Sequence, residues 1–298
     1  MYSDNWDAIT NACNAMKVPW EPCQKGVHKS NAIIENVNFQ IIYDIKVALV
    51  TGAASGMGRI SAKRLAADGT HVAAVDVNEE GLNELKQESN NISIFPCDLS
   101  DNNAVQAMVR QVQSEVGPID RVTNAGAIMP MGKVADLTAN SINTLMRINY
   151  EGTVNIITSI LPAMIERNEG QIILFGSIAG TCPVENMAAY SASKAAVNMF
   201  GEILAKELEE TAIRVLLVCP AMTDTPLMRF VDETDAPSSI SKAMKKGTLN
   251  DPEDVVTAIE RDLLTDKVIC FPTSDALYAT RIRRFFPNYW WKLLSKNS

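Results

Sequence analysis

Val47-Ala48-Leu49-Val50-Thr51-Gly52-Ala53-Ala54-Ser55-Gly56-Met57-Gly58 is the stretch from which the rest of the chain is read. Four apolar residues in a row make a short buried strand. The chain then turns through Gly52, Gly56 and Gly58, and a helix is predicted from about Met57 to Asp68, closed by Gly69. Glycines between a strand end and a helix start let the backbone turn tightly and approach a ligand. The helix N-terminus there favours an anion such as a pyrophosphate. The spacing is Gly-x3-Gly-x-Gly rather than G-x-G-x-x-G, and a purely structural glycine turn is the competing reading.

Further strands are predicted at Val72–Asp76, Ile92–Pro96, Val122 into Asn124-Ala125-Gly126, Gln171–Phe175 into Gly176-Ser177, Arg214–Val218 into Cys219-Pro220, and Val268–Phe271. Helical patterns lie between them. This alternation predicts an α/β fold, a doubly wound parallel sheet of seven strands with helices on both faces. The organisation expected is one domain, residues 46–273, with an N-terminal extension (1–45) and a C-terminal tail (274–298). In the extension, Ser3 caps a short helical pattern (Trp6, Ile9, Cys13, Met16) that Pro19 and Pro22 break. Val37, Phe39 and Ile41 alternate as a strand does. No chemistry is legible there, and packing on the domain or on a neighbouring subunit is the reading.

Asp76 ends the second strand, 18 residues after Gly58. A carboxylate there can accept from adenosine ribose hydroxyls and would repel a 2′-phosphate, so NAD is expected over NADP. Val77 and Asn78 follow, not a basic residue; Arg59 at the helix start is the counter-argument. An N-cap role for Asp76 is the alternative.

Tyr190-Ser191-Ala192-Ser193-Lys194 opens a long helical pattern, Met187 to Thr211. Residues four apart share a helix face, so Tyr190 and Lys194 point the same way. A phenol titrates near pH ~10. Lowering that by about three units takes roughly 4 kcal/mol, which a fixed ammonium with help from a second positive group can supply in a partly dry pocket.

Composition narrows the field. A net charge of −8 argues against a general nucleic-acid binder. No apolar run is long enough to span a bilayer, and Asp4 and Asp7 with no basic stretch do not read as a secretory signal. Six scattered cysteines without a CxxC pair fit a reducing, cytoplasmic setting. With only His28 and His71, a histidine triad or a His-rich metal site is not expected, and no metal is.

Thr51-Gly-x3-Gly-x-Gly58, Asp76, Asp98, Asn124-Ala125-Gly126, Asn149, Ser177, Tyr190-x3-Lys194 and Pro220, in this order over about Lys46 to Phe271, resemble the short-chain dehydrogenase/reductase family with its Rossmann fold. The resemblance implies that Tyr190 is the catalytic acid/base, that Lys194 holds the nicotinamide ribose and lowers the pKa of Tyr190, and that Ser177 hydrogen-bonds the substrate oxygen. It implies that Asn149 holds a water beneath Lys194. Gly52, Ser55, Gly56, Met57 and Gly58 would cradle the cofactor, with Asp98 and Leu99 at the adenine. Asn124, Ala125 and Gly126 would line the cleft, and Pro220, Thr223 and Thr225 would lie at the carboxamide end. Homodimers or homotetramers are implied, through the helices around Asn149 and Tyr190. Two departures stand out: Thr123 where an amide is common, and Ala221 where Gly is common. For Asn149 a buried helix-bending amide, and for Ser177 a turn residue, are the structural alternatives.

The function expected is hydride transfer between NAD(H) and a secondary alcohol or ketone as small-molecule substrate. An NADP-dependent carbonyl reductase and a silent dinucleotide-binding scaffold are the alternatives. Met129, Met131, Val184, Met187, Met222, Leu227, Met228 and Phe230 around the expected mouth point to a lipophilic or alicyclic substrate, although several can be core. Residues 226–250 read as a substrate loop, a lid or a noncatalytic loop. The tail Arg281–Lys296 has five basic residues, five aromatics and no acid. It suits either a peripheral contact with an anionic membrane or packing on its own domain or a partner subunit, and Pro287 interrupts any continuous helix.

Overall fold

The computed structural model describes residues 45–229 and 237–296. The expectations for Ser3 to Ile41 and for Phe230 fall outside them. Strands β1 (Val47–Thr51), β2 (His71–Asp76), β3 (Ile92–Pro96), β4 (Arg121–Asn124), β5 (Gly170–Phe175), β6 (Ile213–Val218) and β7 (Ile269–Cys270) form one sheet in the order β3-β2-β1-β4-β5-β6-β7. Every pairing is parallel. Crossovers are made by α1 (Gly56–Ala67), α2 (Glu79–Glu88), α3 (Asn102–Glu115), α4 (Ala139–Met146) with α5 (Gly152–Arg167), α6 (Ala188–Glu207), and finally α7 (Pro226–Arg229), α8 (Ser238–Lys246) and α9 (Pro252–Leu263). After β7 come α10 (Ser274–Phe285) and α11 (Pro287–Lys296), divided at Pro287. This is the doubly wound α/β fold expected.

The two-residue period of a strand divides the core. Val47 and Leu49 face Val105, Met108, Ile156 and Ile160 of α3 and α5. Ala48 and Val50 face Ala62, Leu65, Leu82 and Leu85 of α1 and α2. Both faces of β1 are thereby covered, which is why its sequence is apolar without alternation.

Strand order reverses at β1, whose neighbours are β2 and β4, and a cleft opens beyond the carboxyl ends of β1 and β4. Thr51 and Asn124 are register partners at that edge. Thr51 Oγ1 donates to Asn124 Oδ1 at 2.8 Å and accepts from Gly126 N at 3.1 Å. The two chain turns nearly touch: Gly52 has φ +66°, and a Cβ on it would lie 2.8 Å from Gly126 N.

Several boundaries differ by a residue or more from the sequence reading. β7 is two residues long rather than four, because Pro272 follows Phe271 and has no N–H for a ladder. α6 ends at Glu207 rather than Thr211. A further difference bears on the site: Arg147–Glu151, between α4 and α5, is a π-helical turn.

Candidate active site

Tyr190 lies in the first turn of α6 and Lys194 one turn further on. Both are buried, and the Lys194 ammonium is 5.9 Å from the centroid of the Tyr190 ring. That ammonium donates to Phe175 O, at the end of β5, at 2.7 Å. Two residues later Ser177 opens a 3-10 turn, Ile178–Gly180; its hydroxyl accepts from Ala179 N and lies beside the Tyr190 phenol, which it influences in the lowering direction. Hydroxyl, phenol and ammonium therefore share one wall of a cavity of about 200 Å3.

The remaining wall is apolar. Met129, Val184, Met187, Met222, Leu227 and Met228 line it, as the sequence predicted, together with Ile240 of α8. Met131 does not: it is buried in the apolar cluster behind the wall. Trp290 and Leu294 of α11 complete the lining. Trp290 Nε1 donates to Pro183 O at 2.9 Å, so the tail packs on its own domain here.

Burial pushes Tyr190 up to about 12, with the Ser177 hydrogen bond acting in the lowering direction. Burial brings Lys194 down to about 8. The ammonium donates to Phe175 O, and burial is the largest influence on the phenol.

The π turn places Asn149 inside. Its Oδ1 accepts from Ile128 N at 2.9 Å, and its Nδ2 donates to Ile128 O and to Ser193 Oγ, each at 3.0 Å. Ser193 Oγ in turn donates to Tyr190 O at 2.8 Å. The side chain of Asn149 thus ties the loop after β4 to the helix of Tyr190, and it engages Ile128 and Ser193 rather than Lys194. Such π turns are frequent at functional sites.

Of the cofactor candidates, Met57, Ala125, Pro220, Thr223 and Thr225 line the cavity. A Cβ on Gly56 would meet Thr225 at 3.5 Å, so the glycine turn and the loop after β6 face each other. Gly58 sits where a Cβ would fall 2.2 Å from Gly52 O. Ser55 is the N-cap of α1 and is exposed, but its side chain makes no cap, which leaves the first-turn N–H groups available to an anion. Asp76 Oδ2 accepts from Ala54 N at 3.1 Å and Oδ1 from Asn78 N at 3.0 Å; the N-cap of α2 is Asn78, not Asp76. Asp98 is exposed beyond β3, and Leu99 is buried where a Cβ on Gly126 would reach it at 2.9 Å. Asn124 stands behind the wall, its Nδ2 donating to Thr153 Oγ1 at 2.9 Å. The cradle without side chains and the open helix end fit a dinucleotide phosphate.

Sequence reasoning missed Asn198. Its Oδ1 accepts from Ser177 N at 3.2 Å and its Nδ2 donates to Ser177 O at 2.9 Å. Gly176 and Gly180 make room for it, since a Cβ on either would stand 2.0 or 2.5 Å from its amide. The available signal was its place on the Tyr190–Lys194 face, four residues past Lys194. Asn198→Ala leaves two buried backbone groups of Ser177 short of a partner, at about 1–3 kcal/mol each. The expected result is a fall in kcat of about tenfold or more with dinucleotide affinity unchanged, measured by steady-state kinetics beside a binding titration.

The geometry is that of a dinucleotide-binding α/β fold with a serine, a tyrosine and a lysine converging beside the cleft. Residues 46–236 match the short chain dehydrogenase family. The chain is 35% identical over 206 residues to 2,3-dihydro-2,3-dihydroxybenzoate dehydrogenase of Bacillus subtilis (strain 168), covering 67% of this chain and 79% of that protein. A short-chain dehydrogenase/reductase of Burkholderia phymatum in complex with NAD superposes with a TM-score of 0.72 at 25% identity, over 82% of this chain and 94% of that one. A variant of actinorhodin polyketide ketoreductase with NADPH gives 0.67 at 30% identity, over 74% and 90%. The chain belongs to the short-chain dehydrogenase family, oxidoreductases built on the Rossmann fold that use NAD or NADP.

Proposed function

We propose that the protein transfers a hydride between NAD(H) and a secondary alcohol or ketone of lipophilic or alicyclic character. The observation that carries this is the Tyr190 phenol beside Ser177 on the wall of an apolar cavity, with the Lys194 ammonium one helical turn away. A bound nicotinamide supplies or accepts the hydride. Tyr190 exchanges the proton with the substrate oxygen, and Ser177 donates a hydrogen bond to the same oxygen. Lys194 holds a ribose hydroxyl and adds positive charge beside the phenol. Asn149 and Asn198 position the tyrosine helix and the serine turn. Gly52, Ser55, Gly56, Met57 and Gly58 take the pyrophosphate, and Asp76 the adenosine ribose, with Asp98 and Leu99 beside the adenine. Asn124 to Gly126, Pro220, Thr223 and Thr225 border the nicotinamide half.

Two features favour NAD. The Asp76 carboxylate lies at the end of β2, and Arg59, the nearby cation that could meet a 2′-phosphate, is bound to Glu84 at 3.1 Å and Glu88 at 2.9 Å. Asp76→Ser is expected to raise kcat/KM with NADPH relative to NADH by about tenfold, roughly 1.4 kcal/mol. Parallel assays with the two cofactors check it, and an unchanged ratio would remove Asp76 from cofactor selection.

The substrate class rests on the cavity. A void of about 150 Å3 holds benzene, so about 200 Å3 of mostly apolar lining suits a group of one or two rings. The Bacillus subtilis relative, a dehydrogenase of a ring diol, and the polyketide ketoreductase accord with that. A panel of cyclic alcohols, steroids and sugars, followed by absorbance of the reduced cofactor, tests it; turnover confined to sugars would overturn the apolar reading. We assign residues 46–273 to the catalytic domain and 226–250 to a cover for the substrate. The assembly inferred is a homodimer or homotetramer through α5 and α6, where Ile165, Met199 and Ile203 are exposed.

A further inference from the structure

Every exposed aromatic side chain among the described residues lies in one short stretch: Phe285, Phe286, Tyr289 and Trp291 are 62%, 37%, 40% and 43% exposed. They belong to the end of α10 and the start of α11. Arg281 and Arg284 are exposed beside them. From Arg281 to Lys296 the sequence has five basic residues and no acid, in a chain of net charge −8. The same helix α11 turns Trp290 and Leu294 to the cavity that holds Tyr190 and Ser177. One side of α11 thus helps close the pocket while its neighbours present aromatic rings and positive charge outward.

We propose that α10 and α11 dock the protein on the surface of an anionic phospholipid bilayer and set the pocket mouth at the lipid interface. Amphipathic rings settle at headgroup level, and basic residues are drawn to anionic lipid. Helices of 12 and 10 residues are too short to span, so the contact is peripheral. Among the described residues no helix is long and apolar enough to cross a membrane. A second copy of the chain is a poorer occupant. A two-fold contact brings the same patch against itself, and a strip whose only charges are positive repels its own image. Where the substrate is lipophilic, which rests on the function proposed above, this docking lets it enter from the lipid without crossing water.

The test is flotation of the full chain with vesicles of phosphatidylcholine alone and of phosphatidylcholine with phosphatidylserine. Binding to the second, weakened by added salt, is expected. Phe285→Ser with Trp291→Ser should lower that partitioning by about tenfold or more, while turnover of a water-soluble alcohol stays unchanged because neither residue lines the cavity. Arg281→Glu with Arg284→Glu should abolish the preference for anionic vesicles. Equal flotation of native and variant proteins, or no binding to anionic vesicles, overturns the proposal. So does a change in sedimentation of either variant without lipid, which would make a second copy the occupant. Flotation does not depend on turnover, so it separates failure of this docking from failure of the enzymatic reading.

Discussion

Tyr190→Phe is expected to lower turnover by about 10²- to 10⁴-fold, the usual contribution of a positioned acid or base, and to leave NADH binding within about twofold. The substitution removes one oxygen from a buried ring and keeps the ring's packing among Met129, Leu145 and Met187. Its effect on stability is confined to the Ser177 hydrogen bond, about 1 kcal/mol, because the Ser177 hydroxyl still accepts from Ala179 N. Pre-steady-state hydride transfer and a thermal melt separate these effects. The sign of the pH dependence follows from burial. Tyr190, raised to about 12, keeps its proton at neutral pH and is ready to act as the acid in ketone reduction. Lys194, lowered to about 8, loses its charge as pH rises past that value. Reduction should therefore fall on the alkaline side, and oxidation, which needs the phenol deprotonated, should rise with pH. Near-native turnover in the Phe variant would mean that another group moves the proton.

Gly58→Ala is expected to abolish dinucleotide binding at ordinary cofactor concentrations. A Cβ there stands 2.2 Å from Gly52 O, 2.7 Å from Gly52 C and 3.0 Å from Thr51 O. All three are backbone atoms, so no side-chain rotation relieves the clash, and the turn must open. Overpacking of this kind destabilises by about 1–3 kcal/mol, a drop of several degrees in Tm for a domain of this size. Gly247→Ala is the control. Gly247 has φ +62° but nothing within 4 Å of a Cβ, so it carries only left-handed strain, about 1–2 kcal/mol. NADH titrations should show the loss at Gly58 and none at Gly247. Native affinity in Gly58→Ala would show that the turn does not hold the phosphates.

Local pattern already contained much of this arrangement. The apolar runs in the strands that hold Val47, Val72, Gln171 and Arg214 mark them as buried on both faces, and the glycines after Val50 mark the tight turn. Tyr190 and Lys194 share a face because a helix repeats every 3.6 residues, whatever surrounds it. Asn149 was legible as a residue but not as an arrangement. Its role depends on a π turn that regular spacing does not announce, and on Ile128, 21 residues away. Asn198 shares the Tyr190–Lys194 face, but its role was not legible because its partner is the backbone of Ser177, 21 residues away.

The sequence by itself determined the alternation of strands and helices, the glycine turn and the shared face of phenol and ammonium, since all of these follow from interactions between residues near in the chain. Only the tertiary structure decided that Asn149 ties the loop after β4 to the tyrosine helix, that Asn198 clamps the serine turn, and that Trp290 of the tail closes on Pro183, 107 residues away. Long-range hydrogen bonds depend on which distant segments come together, and no local periodicity encodes that.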